Sequence, residues 1–480
     1  MTDQIDVIFP DLLGLTHGKT IPAHRVDHPT HYAITVMVQG LDLEFLDTPT
    51  YSTSAGFPDM EARIDSSTLR PWIGGRQIAL SNLYRTNGDE LPLDGRRQLR
   101  LICDQWAQRG YTPTSGFEME FFLLESLKPL MKMPVPDHRV YGIGAGADPS
   151  GTLEAVVELA EMARLQVEGV NAEFTPSQVE AALHYQPALE SADCALLFRE
   201  LVRLAARERG VDATFMARPF ADAVGNGMHV NMSLANVSGE NMFASLDDPL
   251  GITDLARHFI AGLLVHHEAL AAFAAPTVNS YKRLTPGMLS GYWANWGLDN
   301  RIATVRVPGQ RGVSTRVEHR MADGTATPHL LSAALFAAGM HGVDEKLALP
   351  DPQLGDADEA PNTDRHTPHS LADSLDALEA DTKLQSYLET DLIEVYVGLK
   401  RDEWKPAAAT TSPAPAAGAA PAPGAQRPRF TEEEAAEAVV AKARVAAEAT
   451  KAFARDNARL AASRTDAGKV EAALDAKVAG

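Results

Sequence analysis

The sequence predicts an α+β protein with a small β-rich N-terminal domain and a larger domain built on a mainly antiparallel sheet. Its 480 residues exceed what one ordinary hydrophobic core serves, so two domains with appendages are expected. Short strand-like segments separated by turns fill residues 1–100. From residue 101 to 405, helical stretches alternate with strand-like ones, as in a sheet covered by helices.

The individual elements are predicted from hydrophobic periodicity. In the first domain we expect strands at residues 5–9, 33–38 and 77–83. In the second domain we expect strands at residues 116–124, 170–174, 178–185, 212–216, 227–234 and 301–307. Helices are expected at residues 97–109, 152–166, 191–208, 255–272 and 329–341, with terminal helices at 371–399.

Composition and charge narrow the class of protein. Hydrophobic residues make up 45% and charged residues 22% of the chain, as is typical of a soluble globular protein. The net charge of −21 argues against a nucleic-acid partner and favours cations. No apolar run of about 18 residues predicts a membrane span, and residues 1–4 lack the basic start of a signal peptide. The only cysteines, Cys103 and Cys194, lie in apolar surroundings, so we expect buried thiols in a reducing cytoplasm.

The composition changes after the second domain. Residues 406–430 are rich in Ala, Pro, Gly, Ser and Thr, which predicts a semi-extended linker. A capping-box signature at Thr431 then opens an alanine-rich helix within a tail at residues 431–480. Apolar residues recur along it every seven positions, at Val439, Ala446, Phe453 and Leu460. This thin stripe predicts a tethered docking helix or, alternatively, a poorly ordered extension.

Two carboxylates stand out in the apolar strand predicted at 116–124. Glu118 and Glu120 are two residues apart, so they share one face of that strand. Bare carboxylates on a hydrophobic strand are costly unless something cationic meets them. Hard divalent ions, which take oxygen ligands, would meet that need. The alternative is an edge strand with a solvated acidic face.

Further polar residues follow along the chain. Glu173 and Glu180 flank a turn, and His229 follows a glycine-rich loop that begins at Gly225. A histidine in such a place is more often structural than a ligand. Arginines are frequent beyond it, at Arg283, Arg301, Arg306, Arg316 and Arg320, with Glu318 between the last two. Guanidinium groups bind carboxylate and phosphate oxygens bidentately, although such residues also occur on solvated surfaces.

Together these segments resemble the glutamine synthetase family, over residues 5–405. The matching motifs appear in family order at 118–120, 173–180, 227–229, 279–284, 301–308 and 318–320. The resemblance implies a β-grasp N-terminal domain and a catalytic domain whose large curved sheet lines a funnel, with ATP entering at one end and glutamate at the other. It also implies a γ-glutamyl phosphate intermediate that an amine attacks.

The resemblance implies roles residue by residue. Glu120, Glu173 and Glu180 would hold one Mg²⁺ or Mn²⁺, and Glu118, His229 and Glu318 a second, with two or three ions in each active site. Arg283 would clamp the glutamate α-carboxylate, helped by Arg320 and the Gly225 backbone. Arg301 and Arg306 would face the transferring phosphate, and Ser233 with Arg316 would bind ATP.

The sequence also departs from the family pattern. Leu289 stands where the family has a flap glutamate that helps take a proton from ammonium. Asp47 is a candidate for the ammonium-site aspartate, but its flanking pattern is missing. Asn231 replaces a frequent histidine, Val224 a frequent asparagine, and Ser177 the usual glycine of the 173–180 turn.

Two interpretations follow from Leu289. In the first, the nucleophile pocket accepts a larger amine, with Tyr292, Trp293 and Trp296 supplying apolar and cation–π surface. The protein would then be a γ-glutamyl–amine ligase, similar to relatives acting on polyamines, methylamine, ethanolamine or isopropylamine. In the second, the chain is a non-catalytic regulatory or structural homologue. An ammonia-using glutamine synthetase is a further alternative.

Assembly is expected from the resemblance alone. Family members form hexameric rings, often paired into dodecamers, with active sites between subunits. The tail resembles peptides that direct enzymes into bacterial microcompartments, which would make a shell protein a partner. It could equally be a contact between rings or a disordered end.

Overall fold

The computed structural model describes residues 4–245 and 247–410, with side chains as far as Lys405. The predicted helical tail at 431–480 and the linker beyond residue 410 lie outside the described residues. No helix in the described ranges is long and apolar enough to cross a membrane.

The N-terminal part is a six-stranded mixed sheet. Its strands are β1 (Gln4–Pro10), β2 (Thr16–Pro22), β3 (Thr30–Ala33), β4 (Asp59–Ile64), β5 (Arg70–Pro71) and β6 (Gln77–Arg85). They are arranged in the order β2-β1-β6-β4-β3, and β5 pairs with β6. The central β1 and β6 are parallel, while the other pairs are antiparallel. The predicted small N-terminal sheet domain is confirmed.

One strand of this domain was predicted at the wrong position, because 33–38 overlaps β3 only at Ala33. β3 ends at Ala33, and residues Ile34–Met37 form a 3₁₀-helix in place of the strand expected at 33–38. Its first and last residues, Ile34 and Met37, are both buried. Side chains three apart share a face in a 3₁₀-helix, so this turn buries both apolar groups.

The second sheet has ten strands centred on one long strand. These are β7 (Thr112–Leu127), β8 (Leu130–Lys132), β9 (Val167–Ala172), β10 (Gln178–Leu183), β11 (Gln186–Pro187), β12 (Asp212–Thr214), β13 (Met228–Ala235), β14 (Trp296–Leu298), β15 (Val305–Val307) and β16 (Val317–His319). The order is β14-β15-β16-β13-β7-β10-β9, and β8, β11 and β12 also pair with β7. Among the described strands of this second sheet, only β14 and β15 run parallel, so the mainly antiparallel sheet is confirmed.

Helices cover this sheet. They are α1 (Gly95–Gln108), α2 (Thr152–Met162), α3 (Ala188–Glu208), α4 (Asp254–Val265), α5 (His267–Ala274), α6 (Pro328–Asp344), α7 (Leu371–Ala380), α8 (Thr382–Gln385) and α9 (Thr390–Thr410). Every helix predicted within residues 97–399 is present, but the segment at 255–272 is two helices that meet at His266. The linker was predicted to start at 406, which is wrong: α9 continues to Thr410 because alanine favours helix.

A buried ionic network links the end of β4 to the helices α1, α3 and α6. Arg96, at the start of α1, donates to Asp193 of α3 from Nε and Nη2, each at 2.9 Å. Its Nη2 also donates to Asp65 of the N-terminal sheet at 2.8 Å, and Nε2 of His329 lies 2.8 Å from Asp193. The boundary predicted between the two domains at residue 100 stays a prediction, because α1 spans that position and residues up to 410 form one compact unit.

Candidate active site

Neighbouring strands of the large sheet bring the predicted polar residues onto one face. Glu120 of β7 lies opposite Glu180 of β10, and Glu118 lies opposite His229 of β13. On the next pair of strands, Glu318 lies opposite Arg306. Directly paired residues in antiparallel strands point to the same side. The alternating neighbours on β7, such as Phe117 and Met119, are fully buried in the core.

Glu118, His229 and Glu318 form one cluster of possible ligand atoms. One such atom from each lies within 4.8 Å of the other two. The imidazole Nδ1 is 3.4 Å from a Glu118 oxygen and 3.6 Å from a Glu318 oxygen. This is the set predicted for the second metal. The alternative of an edge strand with a solvated acidic face does not hold, because β7 lies inside the sheet between β13 and β10 and the side chains of Glu118 and Glu120 are only 24% and 12% exposed.

The other cluster differs from the predicted set. Glu120 and Glu180 come together with His229, again within 4.8 Å, rather than with Glu173. Glu173 lies in the turn before β10, where its carboxylate accepts the Phe174 N–H at 3.1 Å. It is near enough to Glu120 for their charges to interact. Its role as a ligand stays a prediction.

Unbalanced negative charge marks the side of the site near β10. Burial, followed by repulsion from Glu120, raises the pKa of Glu173 to about 7. Burial and the charges of Glu120, Glu118 and Glu173 raise the pKa of Glu180 to about 9. Carboxylates that oppose one another's ionisation in this way are stabilised by a cation. Oxygen donors with one imidazole fit Mg²⁺ or Mn²⁺.

The side near β16 is already compensated by cationic groups. Burial disfavours ionised Glu118, but hydrogen bonds from His229 and Asn231 outweigh it and lower the pKa to about 2. Burial likewise opposes ionised Glu318, whose pKa the neighbouring Arg320 and His229 lower. Arg306 Nη1 also donates to Glu318, at 2.7 Å.

The predicted substrate arginines surround these carboxylates. Arg320 contacts Glu318, and its Nε donates to the Arg301 carbonyl at 3.1 Å. Arg283 is buried, and its Nη1 donates to the Met321 carbonyl at 2.7 Å. Arg301 itself is exposed. The structure therefore gathers all these guanidinium groups at one site, while their individual roles stay predictions.

The glycine-rich loop must contain glycine to fit between these groups. A Cβ at Gly225 would lie 2.4 Å from the Ala217 carbonyl oxygen. A Cβ at Gly227 would lie 2.8 Å from His229 Nε2 and 3.0 Å from a Glu120 oxygen. The Gly227 N–H donates to Glu120 at 2.8 Å. This loop therefore holds Glu120 with its backbone, while glycine leaves room for the neighbouring His229.

Gln178 supports the site, although sequence reasoning assigned it no role. Its Nε2 lies 3.2 Å from Glu120, 3.0 Å from the Gly225 carbonyl and 3.1 Å from Asn226 Oδ1. The available signal was its position two residues before Glu180, which places both on the same face of β10.

A cavity of about 260 Å³ adjoins the carboxylates on the predicted ATP side. Ser233 and Arg316 both line it, as do Glu118 and Asn231. Arg316 Nε donates to Asn231 Oδ1 at 2.8 Å, and Asn231 Nδ2 donates to Glu118 at 2.9 Å. The asparagine at the family's frequent histidine position therefore couples the predicted nucleotide arginine to a predicted metal ligand.

The flap residue Leu289 is 38% exposed and lies in the left-handed region, with φ of 52°. Its carbonyl accepts a hydrogen bond from Arg320 Nη2 at 3.4 Å, which connects the flap to the carboxylate cluster. At the ends of the flap, Asp358 accepts the Gly287 N–H at 2.7 Å and the Trp293 indole N–H at 3.1 Å.

The aromatic residues predicted for the amine pocket behave differently from one another. Trp296 was expected to present surface to the amine, which is wrong: it is 2% exposed and donates to the Pro350 carbonyl at 2.8 Å. Tyr292 is half-buried and stacks on His366. Asp47, the candidate for the ammonium-site aspartate, is exposed and accepts the Thr53 N–H of its own loop at 3.3 Å.

Comparisons with known proteins agree with this architecture. Residues 92–416 match the protein family described as the glutamine synthetase catalytic domain. The glutamine synthetase of Thermotoga maritima is 34% identical over 359 residues, covering 71% of this chain and 80% of the relative. The γ-glutamylethanolamide synthetase GlnA4 of Streptomyces coelicolor is 31% identical over 421 residues, covering 84% and 89%. A solved structure of GmaS with ADP has a TM-score of 0.76 at 27% identity, covering 86% and 95%. This chain therefore belongs to the glutamine synthetase family of carbon–nitrogen ligases.

Proposed function

We propose that this protein uses ATP to join the γ-carboxylate of L-glutamate to an organic amine. The observation that carries the proposal is Leu289, whose backbone carbonyl is hydrogen-bonded to Arg320 beside the carboxylate cluster. An apolar side chain at that position can contact the alkyl group of an organic amine. It carries no negative charge that would attract an ammonium ion. Support also comes from the similarity to the ethanolamide synthetase GlnA4.

The proposed reaction proceeds in two steps. A γ-carboxylate oxygen of glutamate attacks the γ-phosphorus of ATP, and the bond to ADP breaks. The amine nitrogen then attacks the γ-carbonyl carbon, phosphate leaves, and the nitrogen loses a proton to form the amide.

The arginines would bind the negatively charged groups of the substrates, and the carboxylates would hold the metal ions. Arg306 and Arg301 would bind the oxygens of the transferring phosphoryl group, and Arg283 and Arg320 the glutamate α-carboxylate. We assign two or three Mg²⁺ or Mn²⁺ ions to Glu118, Glu120, Glu173, Glu180, His229 and Glu318. When bound, such ions supply positive charge between the phosphate and carboxylate oxygens.

Phosphate release from ATP tests the proposal. The full chain is assayed with Mg²⁺ and L-glutamate over ammonia, methylamine, ethanolamine, isopropylamine, putrescine and spermidine. We expect one organic amine to exceed ammonia in kcat/KM by about tenfold or more, the scale on which apolar contacts discriminate. Ammonia as the best substrate would instead favour the second candidate, a glutamine synthetase such as the Thermotoga maritima relative. Absence of turnover with any amine would favour a non-catalytic homologue.

Substitution of the flap residue separates charge from shape. Leu289→Glu restores a carboxylate and should raise kcat/KM for ammonia by about tenfold relative to the organic amine, because the carboxylate attracts ammonium. Leu289→Gln has nearly the same shape without charge and serves as the matched control. Equal ammonia use in both variants would contradict the proposed role of this position.

We also propose that the protein forms a ring of six subunits or two such rings in the cytoplasm, with the tail as a docking or targeting helix. Exposed apolar side chains in the N-terminal domain support a subunit contact: Leu41 is 54%, Leu43 71% and Phe45 48% exposed. Light scattering tests the assembly, and a monomer would contradict it. Deletion of residues 411–480 tests the tail, which on this proposal is needed for co-sedimentation with a shell protein and not for assembly.

A further inference from the structure

A second cavity, of about 360 Å³, lies between the N-terminal segment and the C-terminal half of α3. Its apolar wall includes Leu15, Phe215 and Met216. Four basic side chains and one carboxylate among the described residues complete the lining: Arg199, Arg203, Arg207, Lys400 and Asp212. Lys400 is paired with Glu403 and Arg203 with Glu200, each at 3.0 Å, so Arg199 and Arg207 are the basic side chains of this lining that form no ion pair among the described residues.

Arg199 is buried and forms no ion pair among the described residues, although the carboxylates of Glu200, Asp11 and Asp323 act on its charge from farther away. Only 3% of this residue is exposed, and its guanidinium donates to the carbonyls of Gly324, Ala326 and Gly14 at 3.0, 3.1 and 3.2 Å. Its Nε has no hydrogen-bond partner in the part of the chain that the structure describes. Burial, followed by the charge of Arg203, lowers its pKa to about 10. A buried guanidinium without a paired charge costs free energy that an anion would offset.

The other basic groups extend this environment toward the rim. Arg203 forms a half-exposed ion pair with Glu200 at 3.0 Å, and its guanidinium lies 5.6 Å from the Phe215 ring centre. Arg207 is exposed. Positive charge at one side of an apolar cavity suits a molecule with an anionic head and an apolar body.

We propose that this cavity binds a small organic anion in which a carboxylate or phosphate is joined to an apolar group. The position is separate from the predicted glutamate and ATP sites but shares segments with them. Asn226, in the glycine-rich loop, donates to the Met216 carbonyl at 2.9 Å, and Met216 lines the cavity. Gly324, which also lines it, lies three residues beyond Met321, whose carbonyl holds Arg283. A bound anion would therefore contact segments that position the active-site loop.

Calorimetric titration of the full chain tests the proposal, with ADP and Mg²⁺ present to occupy the nucleotide cavity. The probes are phenylacetate, phenyl phosphate and the neutral isostere phenylacetamide. We expect saturable binding of at least one anion, and binding of phenylacetamide weaker than that of phenylacetate by about tenfold, the scale of one charge-assisted hydrogen bond. The tighter anion identifies the preferred head group. No saturable binding of either anion, or equal affinity for the acid and its amide, would overturn the proposal.

Variants at the rim locate the binding without disturbing the fold. Arg199 supports three backbone carbonyls, so the double variant Arg203→Gln, Arg207→Gln is used instead. It should weaken binding of the anion by about tenfold, as expected for two partly exposed charges. Arg209→Gln, an exposed arginine of the same segment that does not line the cavity, should leave the affinity unchanged. Equal affinity in the double variant and in the unmodified protein would place the probe elsewhere and overturn the assignment.

Discussion

At the scale of single residues, Ser177 beside the active site has a conformation that reduces the stability of the fold. It occupies the turn position where glutamine synthetases usually have glycine, and its φ is 69°. Its side chain is buried, and the hydroxyl has no hydrogen-bond partner among the described residues. We expect Ser177→Gly to be more stable than Ser177→Ala by about 1 kcal/mol, because both remove the hydroxyl and only glycine relieves the left-handed strain. Denaturant unfolding measures the difference, and an equal or lower stability of the glycine variant would contradict the prediction.

Also at the residue scale, the sequence correctly predicted those site residues whose positions follow from the alternation of side chains along a strand. Glu118 and Glu120 were recognised because two carboxylates interrupt an apolar run, and the strand places them as expected. Gln178 was overlooked because its role depends on the Gly225–Asn226 loop, which is distant in sequence. Trp296 was misassigned because periodicity cannot tell which face of a three-residue strand is buried.

At the scale of elements, the junction of α4 and α5 depends on a buried chain of hydrogen bonds. Nδ1 of His266 lies 2.5 Å from Asp381, before α8, and its Nε2 lies 2.7 Å from Nδ1 of His341 in α6. His266→Ala should reduce the free energy of unfolding by about 2–3 kcal/mol, because it removes both bonds and leaves a cavity. His258→Ala is the control, since His258 of α4 makes one bond, to the Leu347 carbonyl. Equal destabilisation by the two substitutions would contradict the role of the chain.

Two differences between the predicted and the observed elements could not be predicted from hydrophobic periodicity alone. The apolar pattern at 255–272 is continuous, so the break at His266 became visible only through its tertiary partners. The strand expected at 301–307 is confined to Val305–Val307, because the Asn300 side chain accepts the Ile302 N–H and forms a turn before it. Long strands and helices with a consistent pattern were predicted correctly because local preference and burial agree there.

At the scale of the whole molecule, the net charge of −21 and the carboxylate cluster together predict how pH and divalent ions act on stability. The folded pKa values of Glu173 and Glu180, about 7 and 9, lie above the ordinary glutamate value of 4.5. The folded protein therefore binds more protons than the unfolded chain between about pH 4.5 and pH 9, and its stability should fall as pH rises through that window. A divalent ion favours the ionised carboxylates, so it should stabilise the protein more at the alkaline end.

Thermal unfolding in EDTA and in Mg²⁺, across that pH window, measures this difference. We expect the increase in Tm caused by Mg²⁺ to grow with pH in the unmodified protein. The increase should be much smaller in Glu180→Gln, which replaces the carboxylate with an uncharged amide of similar size. Glu125→Gln provides the control, because Glu125 lies on the same strand as Glu118 and is exposed to solvent. If general charge repulsion governed the effect, the two substitutions would change the Mg²⁺ response equally, since each removes one negative charge from the molecule. A response lost only in Glu180→Gln would locate the ion at the carboxylate cluster.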